Sequence, residues 1–482
     1  MSIQSAIAIA VVGAGTMGLG IAQVAATSGQ NVVLIDKNAD ALSRARATIA
    51  ASLDGAVAKG RLELAERQAI EARIQWSSSL DDAAGCALAI EAVVEDINVK
   101  RAVFAALEAV VADSAILASN TSSLSITEIA SSLRSPRRFL GLHFFNPVPM
   151  MRLVEIIAGP NTDPAFVAEA TSLMRAWGKH PVSVADVPGF IVNRVARPYY
   201  AEAFAALGEG LAPADIDYAL TQCGGFRMGP LTLADMIGHD INYTVAASLF
   251  EAYGGATRFR PQPTQKALLD AGALGRKSGS GVYAYDAPLP APNLASASPK
   301  PETVKVGVGD ELLVRLCRDA GFSPGEGLGD GTAVVDGVTV ARSDGRTLSE
   351  RPDVDVLIDA LRDVDKAGAL VLTARTAQAG ATAAGWVQAG GRQALFIPDR
   401  PGMLVLRTLA QLANAAADAV ADGVGEPDGI DAALMYGAGH PEGPLAWARR
   451  TGFGRVAMAL HNIADACGDP MYEPSAWLQS AR

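Results

Sequence analysis

The chain holds only five histidines, so a proton acceptor is easy to shortlist. His143 closes the apolar run of FLGLHFFNPVPM (139–150), which reads as a strand that ends there. Asn146-Pro147-Val148-Pro149 forces a turn, and LVEIIAG (153–159) then brings Glu155 back toward His143. A carboxylate beside an imidazole orients the ring and stabilises its protonated form, which suits a general base. A single histidine is more often a hydrogen-bonded structural residue, and His180, His239, His440 and His461 take that reading. For His143 the strand-end placement reverses the preference, since ligands of open α/β sheets sit at the carboxyl ends of strands.

A second set of residues speaks for a nucleotide. Gly13-Ala14-Gly15-Thr16-Met17-Gly18 fits GxGxxG, follows an apolar strand, opens a helix, and precedes Asp36 at the end of the next strand. In that context Gly13 permits the tight turn, Gly15 lets backbone approach a pyrophosphate, and Gly18 lets helix pack on strand. The helix start offers free amides to phosphate. Asp36 is expected to accept hydrogen bonds from the adenosine ribose and to repel a 2′-phosphate, which favours NAD over NADP. The plain alternative is a ligand-free turn with Asp36 as a helix cap.

These residues need a scaffold. Residues 6–12 read as a buried strand, Leu19 to Ser28 as a helix and Asn31 to Ile35 as a strand: a βαβ unit. Helix is expected onward to about Arg73. Strands follow at Leu88–Ala92, Ala115–Ala118 and Phe139–Phe145, and the alternation implies a doubly wound parallel sheet. Residues 164–178 look helical, 182–184 could be a short strand, and helical patterns dominate from Pro188 to about 272. The Pro-, Ala- and Ser-rich APLPAPNLASASPKP (287–301) reads as a linker. PGFIVNR (188–194) returns as PGMLVLR (401–407), Asp215-Ile216-Asp217 as Gly429-Ile430-Asp431, and Gly229-Pro230-Leu231 as Gly443-Pro444-Leu445. The offset drifts by one residue across these anchors, which indicates a duplicated helical domain. The fold class is therefore α/β: an N-terminal Rossmann sheet, then a duplicated all-α part. The expected division is 1–186, 187–286, a linker at 287–302, an α/β-like segment of unread role at 303–400, and a second helical copy at 401–482.

Composition excludes other classes. With 482 residues, several domains are expected. A net charge of -11 argues against a nucleic-acid surface. Cys86, Cys223, Cys317 and Cys467 form no CxxC pair and read as free thiols in a reducing cytoplasm. The first 35 residues carry no charge, but they lack the basic start of a signal peptide, and five glycines from Gly13 to Gly29 unsuit them for a membrane span. No metal site is expected.

SNTSSLSITEIA (119–130), GLHFFNPVPMMRLVEII (141–157) and PGFIVNR (188–194), with GRKSGSGVYAY (275–285) closing the match, resemble the signatures of L-3-hydroxyacyl-CoA dehydrogenases. The length and the second helical copy resemble the long bacterial members, which are often assigned to 3-hydroxyadipyl-CoA in phenylacetate breakdown or to 3-hydroxybutyryl-CoA. The resemblance implies NAD as cofactor, an acyl-CoA substrate, His143 as base with Glu155 behind it, and Ser122 and Asn193 on the reacting oxygen. It places Glu95, Lys100, Asn146 and Lys277 at cofactor contacts. Ser52 and Lys59 fall where the family contacts coenzyme A, with Lys59 able to pair with its phosphates. Ser122 and Asn193 could instead only cap helices, and Glu95, Lys100 and Lys59 could be solvated charges.

Two other functions compete. A dehydrogenase of 3-hydroxy acids without coenzyme A would use a lysine on the helical domain, and the His143/Glu155 pair counts against it. A non-catalytic NAD-binding relative is opposed by Ser122, His143, Glu155 and Asn193 occurring together. The second copy departs from the pattern, since Leu406 stands where Asn193 stands in the first. That copy is expected to pack against residues 188–272 as an intrachain pseudo-dimer, with homodimerisation left open.

Overall fold

The computed structural model describes residues 7–307, 309–325 and 331–481. Ala6, read as strand, lies outside the described residues. Contacts divide the chain into two units, residues 1–192 with 422–438, and residues 193–421 with 439–482.

The first unit is built on an eight-stranded sheet. Its strands are β1 (Ala8–Val12), β2 (Asn31–Ile35), β3 (Ile74–Ser77), β4 (Leu88–Glu91), β5 (Ile116–Ser119), β6 (Phe139–Phe144), β7 (Leu153–Ala158) and β8 (His180–Ala185). They lie in the order β3-β2-β1-β4-β5-β6-β7-β8. Pairing is parallel from β3 through to β6. β7 runs antiparallel to β6, and β8 parallel to β7. The central strands are buried along their length and apolar except for the residues that close β4 and β5, Glu91 and Ser119, as in doubly wound sheets. β3, which follows directly on the expected helical stretch to about Arg73 and was not expected from the sequence, is the edge strand. The helical stretch before it breaks at Gly60 into Ala39–Ala58 and Leu64–Ala72. Trp177, Phe144 and the apolar face of Thr16–Thr27 share one core with β1, β2 and β4.

Part of the second helical copy belongs to this unit. Helix Pro427–Gly437 lies on β7 and β8. Glycines allow the approach: a Cβ at Gly437 would sit 2.4 Å from Leu153, and one at Gly429 3.2 Å from Val182. Tyr436 stacks between His180 and the Arg152 guanidinium, which gives His180 a structural place.

The second unit holds helices Arg197–Gly208, Pro213–Gln222, Pro230–Ile237, His239–Ala252 and Pro263–Asp270, then a mixed sheet, then helices Val405–Ala421, Pro444–Thr451 and Phe453–Cys467. The sheet comprises β9 (Val304–Val306), β10 (Thr332–Val335), β11 (Val338–Arg342), β12 (Val356–Ile358), β13 (Ala369–Ala374) and β14 (Gln393–Phe396), ordered β14-β13-β12-β11-β10-β9. It has its own core around Trp386, Leu313 and Leu370. The segment read as linker has no helix of its own, yet it is pinned. Asn293 bonds both Asp215 oxygens through its backbone and side-chain nitrogens, and Ala295 N–H donates to Ala394.

This sheet repeats the end of the first one. β11 is parallel to β12, β12 is antiparallel to β13, and β13 reaches β14 in parallel through helix Ala377–Ala389. β5, β6, β7, helix Pro164–Ala176 and β8 have the same order and directions. The register agrees as well. His143 faces Glu155, and Asp359, one step beyond the Ile358–Leu372 pair, bonds through its N–H to Val371. Adding 216 to 143 and to 155 gives 359 and 371. Both sheets then lead into a turn with the same pair of left-handed residues, Gly189-Phe190 (φ 76° and 49°) and Gly402-Met403 (φ 71° and 51°). β11 to β14 thus repeat the last four strands of the first sheet, and the duplication extends beyond the helices, whereas β9 and β10, antiparallel to their neighbours, have no such counterpart.

Candidate active site

β6 ends at Phe144, and the tight turn that follows returns the chain as β7, so antiparallel register sets His143 opposite Glu155. His143 Nδ1 lies 2.6 Å from Glu155 Oε2, and the carboxylate is fully buried. A carboxylate accepts, so Nδ1 is the donor in this contact, and in the neutral ring Nε2 is then the nitrogen that can accept a proton. The second Glu155 oxygen accepts the N–H groups of Ile191 and Val192 at 3.0 Å each. One carboxylate therefore fixes both the ring and the turn that leads to Asn193. Phe145 and Phe190 flank the imidazole at 4.4 and 5.7 Å between centroids. Asn120 Oδ1 accepts the N–H of Phe144 and ties the end of β5 to the end of β6.

Ser122 sits in the loop after β5, and Glu95 organises that loop. Glu95 Oε1 accepts from Thr121 Oγ1 (2.6 Å), the Ser122 N–H (2.9 Å), and both N–H and Oγ of Ser123. The Ser122 hydroxyl lies 3.4 Å from the same oxygen. Burial works to raise the Glu95 carboxyl, but the bonds from Thr121 and the loop, with the Lys100 charge, hold it below its ordinary value. Ser122 does not cap the next helix. Ser125 does so, through Glu128 N–H.

Lys100 is 1% exposed and its ammonium is committed to two carboxylates, Glu91 at 2.6 Å and Glu95 at 3.2 Å. Glu91 is the residue that sequence reasoning missed. It is fully buried at the end of β4 and also accepts from Ser119 Oγ and the Val93 N–H. An acidic residue closing an apolar strand was the available signal. Asp186 was missed too. It gathers Ser125 Oγ, Thr127 Oγ1 and the N–H groups of Ile126 and Thr127.

The glycine loop fits a dinucleotide. A Cβ at Gly13 would lie 2.5 Å from the Ala92 carbonyl and one at Gly18 1.8 Å from that of Gly13, whereas Gly15 has nothing within 4 Å and leaves room for a phosphate. Helix Thr16–Thr27 has no side-chain cap and no acidic residue in its first turn, so its leading amides remain for an anion. Asp36 accepts from Ala14 N–H (2.8 Å) and Asn38 N–H (2.9 Å), which sets its carboxylate beside the loop. Asn146 is exposed just beyond β6. Ser52 accepts from Gln23 Nε2, and Lys59 is exposed at the end of the same helix. In the second unit Lys277 pairs with Asp240. Asn193 is the residue after Val192 and begins that unit. No metal-binding group of three or more His, Cys, Asp or Glu occurs among the described residues.

Two family profiles match this arrangement: "3-hydroxyacyl-CoA dehydrogenase, NAD binding domain" over residues 8–187, and "3-hydroxyacyl-CoA dehydrogenase, C-terminal domain" over 189–285 and again over 402–481. The chain belongs to the 3-hydroxyacyl-CoA dehydrogenase family. It is an NAD-dependent oxidoreductase, and the double match of the second profile marks the repeated helical domain. This dehydrogenase is 39% identical to 3-hydroxyadipyl-CoA dehydrogenase of Escherichia coli K12, over 98% of this chain and 96% of that one. It superposes on a crystal structure of 3-hydroxybutyryl-CoA dehydrogenase from Escherichia coli K12 with a TM-score of 0.90, at 38% identity and 98% coverage of both. (S)-3-hydroxybutyryl-CoA dehydrogenase of Ralstonia eutropha is 41% identical over 58% of this dehydrogenase and 99% of itself, with a TM-score of 0.57. Among the described residues no helix is long and apolar enough to cross a membrane.

Proposed function

We propose that the dehydrogenase oxidises 3-hydroxyadipyl-CoA or 3-hydroxybutyryl-CoA to the 3-oxoacyl-CoA, in the breakdown of aromatic compounds such as phenylacetate or of fatty acids, in the cytoplasm. The observation that carries the catalytic assignment is the buried 2.6 Å contact of His143 with Glu155 at the carboxyl end of β6. His143 Nε2 removes the hydroxyl proton, and Glu155 stabilises the imidazolium that results. Bound NAD supplies the hydride acceptor for the carbinol carbon. Ser122 and Asn193 hydrogen-bond the reacting oxygen and hold the carbinol in line. Glu95 and Asn146 face the cofactor. Lys100 acts through Glu95 rather than by direct contact, because its ammonium is buried between carboxylates. Lys277 joins the cofactor contacts. Ser52 and Lys59 lie seven residues, two turns, apart on one helix face and receive coenzyme A.

The second helical copy serves as an internal partner. Helix Val405–Ala421 packs on Arg197–Gly208, Arg407 meets buried Glu202 at 2.7 Å, and Arg400 meets Glu209 at 2.7 Å. Arg194 stacks on Tyr253 and Phe259, and Arg407, its counterpart 213 residues on, stacks on Tyr472. The repeated stacking supports an intrachain pseudo-dimer.

The test is a panel of 3-oxoacyl-CoA thioesters with NADH, spanning acetoacetyl-CoA and longer chains with and without a terminal carboxylate. A kcat/KM maximum at acetoacetyl-CoA or at the six-carbon dicarboxylyl thioester supports the assignment. Turnover of the free 3-oxo acids in preference to the thioesters overturns it.

A further inference from the structure

The shortened second sheet retains a cavity where the first copy carries its chemistry. Ser119 pairs with Gly141 between β5 and β6, and Ala341 pairs with Leu357 between β11 and β12. Since Leu357 stands 216 residues after Gly141, Ala341 corresponds to Ser119, and Asp344 to Ser122. Asp359 corresponds to His143 and Leu406 to Asn193. Asp359 is withdrawn into the core, where its carboxylate accepts the N–H groups of Leu404, Val405 and Leu406. Asp344 and Leu406, the counterparts of Ser122 and Asn193, line a cavity of about 280 Å³.

The lining has been remade for charge. Arg342, Arg346, Arg351 and Arg455 line it with only two acidic residues, Asp310 and Asp344, a local balance of four against two in a chain of net charge -11. Asp344 is shared: Arg346 reaches it through Nε at 3.1 Å, and Arg351 through Nη1 at 3.1 Å. Burial works to raise its carboxyl, but these guanidinium bonds hold it below its ordinary value, so it stays charged. Arg342 uses Nη1 on buried Asp310, and its Nε and Nη2 bond to no side chain among the described residues. Among the described residues Arg346 bonds Asp344 through Nε and Nη2 but not Nη1, and Arg455 has no carboxylate partner. The opposite wall is apolar, formed by Leu406, Val456 and Ala459.

We propose that this cavity is a second ligand site of the chain, for a small oxyanion, carboxylate or phosphate, with the apolar wall receiving a short carbon stem where there is one. Guanidinium groups bind both oxyanions with paired N–H donors, and a low-dielectric wall strengthens each bond. The cavity keeps no imidazole or amide at the positions of His143 and Asn193, and its two carboxylates are tied to Arg342, Arg346 and Arg351, so it binds and does not turn over.

The experiment is calorimetric titration of the full-length protein, at fixed ionic strength, with butyrate, succinate and inorganic phosphate. NAD and acetoacetyl-CoA at saturation, a pair with no hydride to transfer, keep the catalytic site occupied in a parallel titration. Saturable binding of at least one probe is expected. It should weaken at least tenfold in Arg346→Gln/Arg455→Gln, while kcat and KM of that double variant in the native background stay unchanged. Arg455 is exposed, so Arg455→Gln alone folds and should weaken binding at least threefold. Tighter butyrate or succinate than phosphate identifies the carboxylate source, and the reverse order the phosphate source. Absence of saturable binding by all three probes, or equal affinity in the double variant, overturns the site.

Discussion

Glu155 and Asp359 do one task in two places. Each is a fully or almost fully buried carboxylate that receives the leading amides of the helix after a Gly-containing left-handed turn. In the first copy the carboxylate comes from β7 and keeps an oxygen for His143. In the second it comes from the end of β12, the place that His143 occupies in β6, and Val371 fills the position of Glu155. The amides must be satisfied in either case, because unpaired buried N–H groups are costly. The backbone requirement survived the loss of chemistry, and a single residue moved by one strand meets it. The difference separates what the fold demands from what catalysis demands: a carboxylate under the turn belongs to the fold, and an imidazole on that carboxylate belongs to the reaction.

The sharpest way to break this comparison is to exchange the paired positions. His143→Gln should lower kcat by roughly 10²–10⁴-fold, the usual contribution of a general base, with NADH binding nearly intact by fluorescence titration. Asp359→Asn should leave kcat within about twofold, since a buried residue whose partners are backbone amides of its own copy contributes packing and hydrogen bonds. A His143→Gln enzyme with near-normal kcat would sink the base assignment. Glu155→Gln should fall between the two, with kcat down about 10–100-fold, because the imidazolium loses its counter-charge while the amide oxygen still meets the Ile191 and Val192 N–H groups.

The cofactor end gives a smaller effect. Wild type should prefer NAD to NADP strongly, and Asp36→Ala should narrow the ratio of kcat/KM values by about 10–100-fold, as expected when a carboxylate no longer opposes a phosphate. Equal use of both cofactors by wild type would contradict the reading of Asp36. Leu406→Asn probes the remade copy. Restoring the amide should yield no new activity and should cost about 1–3 kcal/mol in chemical denaturation, because a buried polar group is placed among Val456 and Ala459. A second set of active sites detected by NADH stoichiometry would show that the copy is not degenerate.

Much of the working copy was legible because its chemistry forces rare residues into fixed surroundings. GxGxxG with Asp36, and His143 ahead of a Pro-rich turn with Glu155 beyond it, are such patterns. The pairing of Glu91 with Lys100 was not: an acidic residue closing an apolar strand marks Glu91, but only the placement of β4 and the following helix Ile97–Val110 brings the two to 2.6 Å. The second sheet was read as an unsigned α/β segment for a physical reason as well. β9 and β12 have three residues each, too short for an alternating pattern to register, and helix Ala377–Ala389 is apolar nearly all round. The duplication was visible in the helices, whose turn glycines and prolines carry the repeat. In the sheet, where His143 became Asp359 and Glu155 became Val371, only backbone register preserves it.

The smallest expected effect concerns pH. Burial pushes the Asp359 carboxyl up to about 6, although the N–H groups of Leu406, Val405, Leu404 and Ala360 all pull it down. Its folded value therefore lies above the ordinary 3.8, and the folded state holds the proton more tightly than the unfolded chain. By linkage such a group destabilises the fold at high pH: the penalty grows as pH rises from about 4, is complete above about 6, and disappears once both states are protonated. A shift from 3.8 to about 6 corresponds to about 3 kcal/mol above pH 7, of which about 2 kcal/mol develops between pH 4.5 and 7.5. Asp359→Asn removes the titration, while any loss of hydrogen-bond strength in the variant is the same at every pH and cancels. Urea unfolding of both proteins at pH 4.5 and 7.5 should thus show wild type losing about 2 kcal/mol relative to the variant on going to the higher pH. The opposite sign would mean that the amides outweigh desolvation and that Asp359 is held ionised. In that case the carboxylate under the second turn would resemble Glu155 in charge as well as in position.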